Sequence, residues 1–457
     1  MTLRVYDSRR REKVEFTTLE AGKVKMYVCG VTVYDRCHVG HARSLIFFDT
    51  VVRYLRWRGY EVSFVRNITD IDDKIIKRAN ENGETFEQLT ERMIAAMHED
   101  EARLNVLRPD QEPRASQHID GMFAMIQTLI DKGYAYAPGN GDVYYRVGKF
   151  EGYGKLSRRK IEDLKIGARI EVDEAKQDPL DFVLWKAAKP GEPSWTSPWG
   201  EGRPGWHIEC SAMSRKHLGL TLDIHGGGAD LIFPHHENEV AQSEGVNGAG
   251  SFARTWVHNG FLTVNGEKMS KSLGNFYTVH ELLDEFPGEA IRLALLKTHY
   301  RQPLDFTKDG LAEAKRELDG FYGALRGVDA SAEAGQETPD IIEAMSDDLN
   351  TPLALSHLHE LAGDLNKAEG GQKPEAGSRL LSAAWLLGLL GQDPEAWFKG
   401  EASEGGLDDA TIDALTAERD RTRENKEFKR GDEIRDQLEA RGILLEDGAQ
   451  GTTWKRK

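Results

Sequence analysis

Lys25-Met-Tyr-Val-Cys29 is a short apolar strand, and the loop Gly30-Val-Thr-Val-Tyr-Asp35 follows it. A helical pattern then runs from about His41 to Trp57, with Leu45, Phe48, Val51, Val52 and Leu55 on one face. Gly59 is placed to end that helix. Tyr60 to Val65 alternates as a second strand. Strand, helix and strand within about 40 residues predict a right-handed parallel crossover, so the chain is expected to be α/β.

The pattern is then interrupted. Residues 110–205 hold scattered Gly and Pro, a hairpin signal at 139–145 (GNGDVYY) and a Trp/Pro/Gly-rich stretch at 190–206. This stretch reads as an insertion between two halves of one nucleotide-binding domain. The α/β pattern resumes with a strand at Leu222–His225 that ends in three glycines, a helix from about Pro234, and a strand over 255–264. Beyond about 285 the chain turns helical, near 288–299, 309–327, 338–368 and 376–390. Residues 392–407 read as a linker, and Ile443 to Lys457 as a small hairpin.

Composition excludes several classes. With 457 residues, 39% hydrophobic and 30% charged, the chain is neither collagen-like, coiled-coil nor wholly disordered. No apolar run approaches the roughly 18 residues a membrane span needs. The N-terminus lacks the apolar stretch of a secretory signal, so the cytoplasm is expected. A net charge of −16 argues against binding nucleic acid through bulk charge, so any RNA contact needs local basic patches. Three cysteines, Cys29, Cys37 and Cys210, argue against a disulfide framework and leave core, nucleophilic or metal-ligand roles.

Two short motifs carry candidate chemistry. His38-Val-Gly-His41 sits where the first loop enters its helix. A helix N-terminus offers unpaired N–H groups and partial positive charge to phosphate, and Gly40 permits close approach. A pair of capping histidines would look the same. About 230 residues on, Lys268-Met-Ser-Lys-Ser272 is a loop with two lysines, suited to charge growing on a transferring phosphoryl group. Alone it is better read as a solvated basic loop; together the two motifs are far more specific. A third set is scattered: His235 and Glu239 share a helix face, and with Cys29 and Cys210 they make a plausible zinc set.

HVGH with KMSKS resembles the paired signatures of class I aminoacyl-tRNA synthetases. MYVCGVTVYDRCHVGHAR at 26–43, NITDIDDKIIKRANE at 67–81, DFVLWK at 181–186, PGWHIECSAM at 204–213, DIHGGGADLIFPHHENE at 223–239, EKMSKSLGN at 267–275 and the ending ILLEDGAQGTTWKRK resemble the cysteinyl-tRNA synthetase family in particular. Val39 stands where Ile is usual. The resemblance implies a Rossmann-like α/β catalytic domain with an insertion, then an α-helical bundle and a small C-terminal anticodon-binding module. The corresponding boundaries are 1–110 and 206–265 for the two catalytic halves, 111–205 for the insertion, 266–310 for the KMSKS loop and stem-contact region, 311–391 for the bundle and 400–457 for the terminal module.

It also implies roles. His38, His41, Lys268 and Lys271 would be catalytic, with His38, His41, Gly228, Asp230 and Lys271 on ATP. Thr32, Trp206 and His225 would face the amino acid or adenylate. Cys29, Cys210, His235 and Glu239 would hold one Zn²⁺, and Mg²⁺ would accompany ATP. Cys37 is expected to be structural. The expected function is cysteine–tRNA ligation, with L-cysteine, ATP and tRNA(Cys) as partners, no membrane, and a monomer. Zinc would explain how serine is rejected, since pocket shape separates such near-isosteres poorly whereas a thiolate is much the better ligand. Two rivals are a ligase transferring cysteine to an amino sugar and a zinc hydrolase using His235 and Glu239; a non-catalytic RNA-binding relative is a third. The segment from 401 is acidic on balance. Arg419, Arg423, Lys426 and Arg430 would nonetheless form one basic stripe on a continuous helix, and Trp454 beside Lys455, Arg456 and Lys457 suggests base stacking.

Overall fold

The structure is a computed structural model that describes residues 2–163, 175–270, 273–332, 339–399, 407–448 and 451–456. The chain divides into two compact units. One comprises Met1–Lys315, Ala334–Leu358 and Ser382–Leu389; the other comprises Arg316–Glu333, His359–Leu381 and Leu390–Lys457.

In the first unit the crossover forms as expected. Strand β1 (Lys23–Val28) leads through the loop into helix α1 (Val39–Trp57), which returns the chain to β2 (Glu61–Arg66). Helix α2 (Trp206–Leu218), β3 (Leu222–Gly228), α3 (His235–Asn247) and β4 (Ala253–Asn259) complete the α/β core. The strands lie in the order β4-β3-β1-β2, all parallel. Helices cover such sheets, which explains the unbroken burial along the last residues of β1 and most of β3. Gly226 lets α1 pack close: a Cβ there would lie 2.4 Å from the Phe48 ring.

Between β2 and α2 the chain builds a separate five-stranded antiparallel sheet, in the order Ala135–Tyr136, Val143–Tyr145, Phe182–Ala187, Gly200–Pro204, Trp195–Ser197. The Asn140-Gly141 signal lies between its first two strands, and the Trp/Pro/Gly-rich stretch supplies a hairpin. Two expected elements are broken. The strand over 255–264 leaves the sheet at Gly260, whose N–H donates to Tyr300 O at 2.6 Å; Leu262–Val264 then pairs in parallel with Leu304–Phe306. The helix over 338–368 stops at Ser346 and restarts at Thr351. Asp348 and Leu349 take positive φ there, and the buried Asp348 carboxylate accepts from Tyr6 N and Tyr300 Oη at 2.7 Å and from Arg301 Nε at 2.8 Å.

In the second unit, helices Asp409–Glu424 and Phe428–Glu439 and the hairpin Ile443–Gly448/Gly451–Arg456 enclose a small core of Ile412, Ile434, Leu438, Ile443 and Trp454. Two expectations fail here. Trp454 is 3% exposed, its Nε1 donates to Asp413 at 2.7 Å, and Lys399 and Arg456 flank its ring, so it is a core residue and not a stacking surface. The basic stripe is divided because the helix ends at Glu424 and Lys426 takes a φ of 61°. Arg419 and Arg423 pair with Asp447, and Arg430 with Glu418. The exposed aromatic of this module is Phe428 (61%).

Candidate active site

The sheet order reverses between β1 and β3, and in open parallel sheets ligands bind at the carboxyl ends of strands flanking such a point. Cys29 directly follows β1 there, its N–H donating to Gly226 O at 3.1 Å. Helix α2 brings Cys210 to the same place, and α3 brings His235 and Glu239 from adjacent turns of one face. Cys29 Sγ lies 3.5 Å from Cys210 Sγ and 3.3 Å from Glu239 Oε1, and His235 Nε2 lies 3.1 Å from that oxygen. Donors at about 2.0–2.3 Å from a tetrahedral ion stand roughly 3.3–3.8 Å apart, so the four expected ligands fit a zinc-sized cation. All four are buried. Burial pushes both thiols up and His235 down, and each effect opposes charge on a donor; a dication would favour the thiolates and the neutral imidazole.

Around this set stand histidines that spacing did not single out. His236 Nε2 is 3.3 Å from Cys29 Sγ, and its Nδ1 is 2.7 Å from His258 Nε2; His258 Nδ1 reaches Ser8 Oγ at 2.8 Å. A helical wheel turns His236 away from His235, yet His236 is fully buried against β3, where a Cβ on Gly227 would come 3.0 Å from its Cε1. Cys29, His225, His236 and Glu239 therefore form a second, overlapping donor set. His207 Nδ1 meets His235 Nδ1 at 2.9 Å, and His225 spans Tyr27 O at 3.1 Å and Glu239 Oε2 at 3.0 Å. The family resemblance had named His225; for His207, His236 and His258 the sequence signal was only the number of histidines near 207–258.

Trp206, at the start of α2, stacks on His235 with ring centroids 4.2 Å apart and remains 38% exposed, so it walls the site and is not a core Trp. Thr32 is half-buried in the loop after Cys29 and bridges to Thr69 through the backbone. Gly228 closes β3, and Asp230 is exposed just beyond it. Cys37 is buried, its thiol pushed up to about 12 mainly by desolvation.

His38 caps α1. Its Nδ1 accepts from Gly40 N at 3.1 Å and His41 N at 3.3 Å, while His41 Nδ1 accepts from His38 N at 3.2 Å. Both rings thereby keep their proton on Nε2. They stack at 3.7 Å, and burial holds His41 down to about 3, hence neutral. The second motif arrives at the same helix end. Tyr277 O accepts from Val39 N, and a Cβ on Gly40 would lie 3.7 Å from Met269 Cε. Lys268 is exposed, and Asn275 pins its carbonyl at 3.2 Å; Lys271 lies outside the described residues.

Residues 15–316 match the family model of tRNA synthetases class I (C) catalytic domains, and residues 340–391 match the DALR domain. Fold and catalytic region are those of a class I tRNA synthetase. The chain is 60% identical over 458 residues to a cysteine--tRNA ligase of Pseudomonas paraeruginosa, covering 99% of each, and 60% identical over 460 residues to that of Azotobacter vinelandii, covering 100% of this chain and 99% of the relative. It belongs to the cysteine–tRNA ligase family. Among solved structures, Mycobacterium tuberculosis methionyl-tRNA synthetase with methionyl-adenylate superposes with TM-score 0.54 at 15% identity, over 80% of this chain and 89% of that one. The LeuRS of the Agrobacterium radiobacter K84 ternary complex with tRNA and LeuAMS does so with TM-score 0.54 at 13%, over 84% and 85%.

Proposed function

We propose that the chain activates L-cysteine with ATP and transfers it to tRNA(Cys). The observation that carries this is the convergence, at one end of a parallel sheet, of a four-donor thiol–imidazole–carboxylate set with HVGH and the KMSKS segment. Cys29, Cys210, His235 and Glu239 would hold zinc, which would supply a preference for a thiolate over a hydroxyl and so distinguish cysteine from serine. Trp206 and Thr32 border the amino acid. His225 fixes Glu239 by holding its second oxygen.

In the first step the cysteine carboxylate attacks the α-phosphate of ATP in line and pyrophosphate leaves. His38 and His41 present Nε2–H donors beside the positive end of α1, which suits phosphate oxygens. Lys268 and Lys271 bring the cations that stabilise the charge moving onto pyrophosphate. Gly228 and Asp230 lie on the ribose side, and Mg²⁺ accompanies the nucleotide. In the second step the 2′-hydroxyl of the terminal adenosine attacks the adenylate carbonyl and AMP leaves. No covalent enzyme intermediate is involved, so the contribution is positioning and electrostatics.

Residues 1–110 and 206–265 supply the catalytic halves around the insertion at 111–205. Residues 266–310 carry the KMSKS loop and the stem contact, 311–391 support the tRNA stem, and 400–457 contact the anticodon, with Phe428 offering the open aromatic face. The enzyme acts in the cytoplasm as a monomer; no described helix is long and apolar enough to cross a membrane. Cysteine-dependent ATP–pyrophosphate exchange that serine does not support, measured beside zinc content, tests the proposal; exchange without cysteine selectivity would refute it.

A further inference from the structure

We propose that the turn at Arg9–Arg11 and the segment Arg158–Lys160 together form a docking patch for the phosphate backbone of the tRNA acceptor arm. The inference rests on the tRNA-charging function proposed above. The two segments lie about 150 residues apart in sequence, yet they clasp each other: Arg158 Nη2 donates to Arg9 O at 3.1 Å, and Arg11 Nη2 donates to Ser157 O at 3.4 Å. Both bonds end on neutral carbonyls and leave the guanidinium charges uncompensated. Among the described residues, Arg9, Arg11, Arg158, Arg159 and Lys160 form no ion pair with a carboxylate, whereas Arg10 pairs with Asp7 and Lys155 with Glu244. Arg158, Arg159 and Lys160 line a surface depression with Glu151 and Glu162, which, among the described residues, form no ion pair with them.

Such a cluster departs locally from the acidic balance of the chain. Its net charge is −16, and elsewhere Arg53, Arg56, Arg66, Arg203, Arg292 and Arg326 each face a carboxylate. Five unpaired cations repel one another, and holding them together on the surface creates a local field that a polyanion relieves. Arg11 and Arg158 both sit at positive φ (62° and 60°), and Arg158, Arg159 and Lys160 are exposed. Arg159 lies 4.4 Å over the Phe233 ring, which orients a planar fork suited to phosphate.

The patch is anchored to the catalytic core. Glu237 on α3, midway between His235 and Glu239, accepts from Ser157 N at 2.7 Å, and Ser8 at the other segment meets His258 at 2.8 Å. An RNA strand held there lies on the unit that performs the chemistry. Guanidinium and ammonium groups pair with phosphate oxygens, so the contact reads backbone and not bases.

The test uses the full-length enzyme carrying Arg9→Gln with Lys160→Gln, which leaves both clasping bonds intact, and Arg158→Lys as a charge-preserving control. The probe is tRNA(Cys) transcript over a range of salt. The expected result is a KM for tRNA raised about 5- to 10-fold, a salt dependence of log KM shallower by about 1.5, and unchanged cysteine-dependent pyrophosphate exchange. The control keeps the wild-type salt slope. An unchanged KM and slope in the double variant overturns the patch while the ligase function stands. A wild-type enzyme that exchanges pyrophosphate but charges no tRNA overturns the function on which the patch rests.

Discussion

Val39 donates its backbone N–H to Tyr277 O at 3.1 Å, and the strand-like pairing continues as Val279 N–H to Cys37 O at 2.8 Å. HVGH is thus stitched to the segment that follows KMSKS, and the N-terminal end of α1 cannot shift without moving both. Gly40→Ala would place a methyl 3.0 Å from the His38 ring. The expected outcome is a fall of about tenfold in the exchange rate at saturating substrate, with cysteine affinity by calorimetry unchanged. Equal losses in rate and cysteine affinity would show that Gly40 supports the whole pocket.

Lys271→Ala should slow adenylate formation by a factor of about 100 or more while barely weakening cysteine binding, because the proposed mechanism calls on its charge as pyrophosphate departs. Rapid-quench measurement of adenylate, set against equilibrium binding of cysteine, separates the two.

His235→Ala should lose zinc and cysteine affinity together, each by at least about 100-fold, since removing one of four donors opens the set. Elemental analysis after dialysis and cysteine titration check this. A variant that keeps full metal content would exclude His235 as a ligand. Chelation of the wild-type enzyme should abolish exchange, and added zinc should restore it.

Glu112 yields a prediction about acid stability. Desolvation opposes its ionisation, but the hydrogen bond from His98 and the charges of Arg66 and Arg108 outweigh it and hold the carboxyl down to about 2, against about 4.3 in an unfolded chain. A depressed folded value stabilises the native state above the unfolded value, and that stabilisation is lost as pH falls from about 4.3 through 2. The amount is about 3 kcal/mol, and Glu112→Gln should flatten that stretch of the curve. Urea unfolding at a series of pH values reads it directly.

Phe428→Ala should raise the KM for tRNA about tenfold through loss of a stacking face, with exchange unaffected. Trp454→Ala should instead destabilise the terminal module, because Trp454 belongs to its core. Deleting 401–457 should impair charging and spare adenylate formation.

Local periodicity made the first crossover legible: strand, helix and the stop at Gly59 follow from residues within one turn of each other. The insertion's first hairpin was legible for the same reason, since Asn140-Gly141 is a short-range signal; the second, Trp195–Ser197 with Gly200–Pro204, was not read as one. What periodicity could not reveal were features decided at a distance. The break at Asp348 depends on Tyr6, Tyr300 and Arg301 converging on one carboxylate. The burial of Trp454 depends on Asp413 and Lys399 meeting it from other elements. His236 points inward because glycine-rich β3 leaves room for its ring, which an ideal helix drawn alone does not show. For the four donors, spacing gave a weak hint and the family resemblance a strong one; their convergence is visible only in three dimensions.

Cys29 and Glu239 are 210 residues apart, and Cys210 and His235 enter from two separate helices in the second half of the core. During translation, therefore, the first thiol leaves the ribosome long before its companions exist. On the proposed zinc assignment no ion could be held there until the late helices have joined the first thiol, so metal uptake would mark the moment at which a nascent chain has completed its catalytic half.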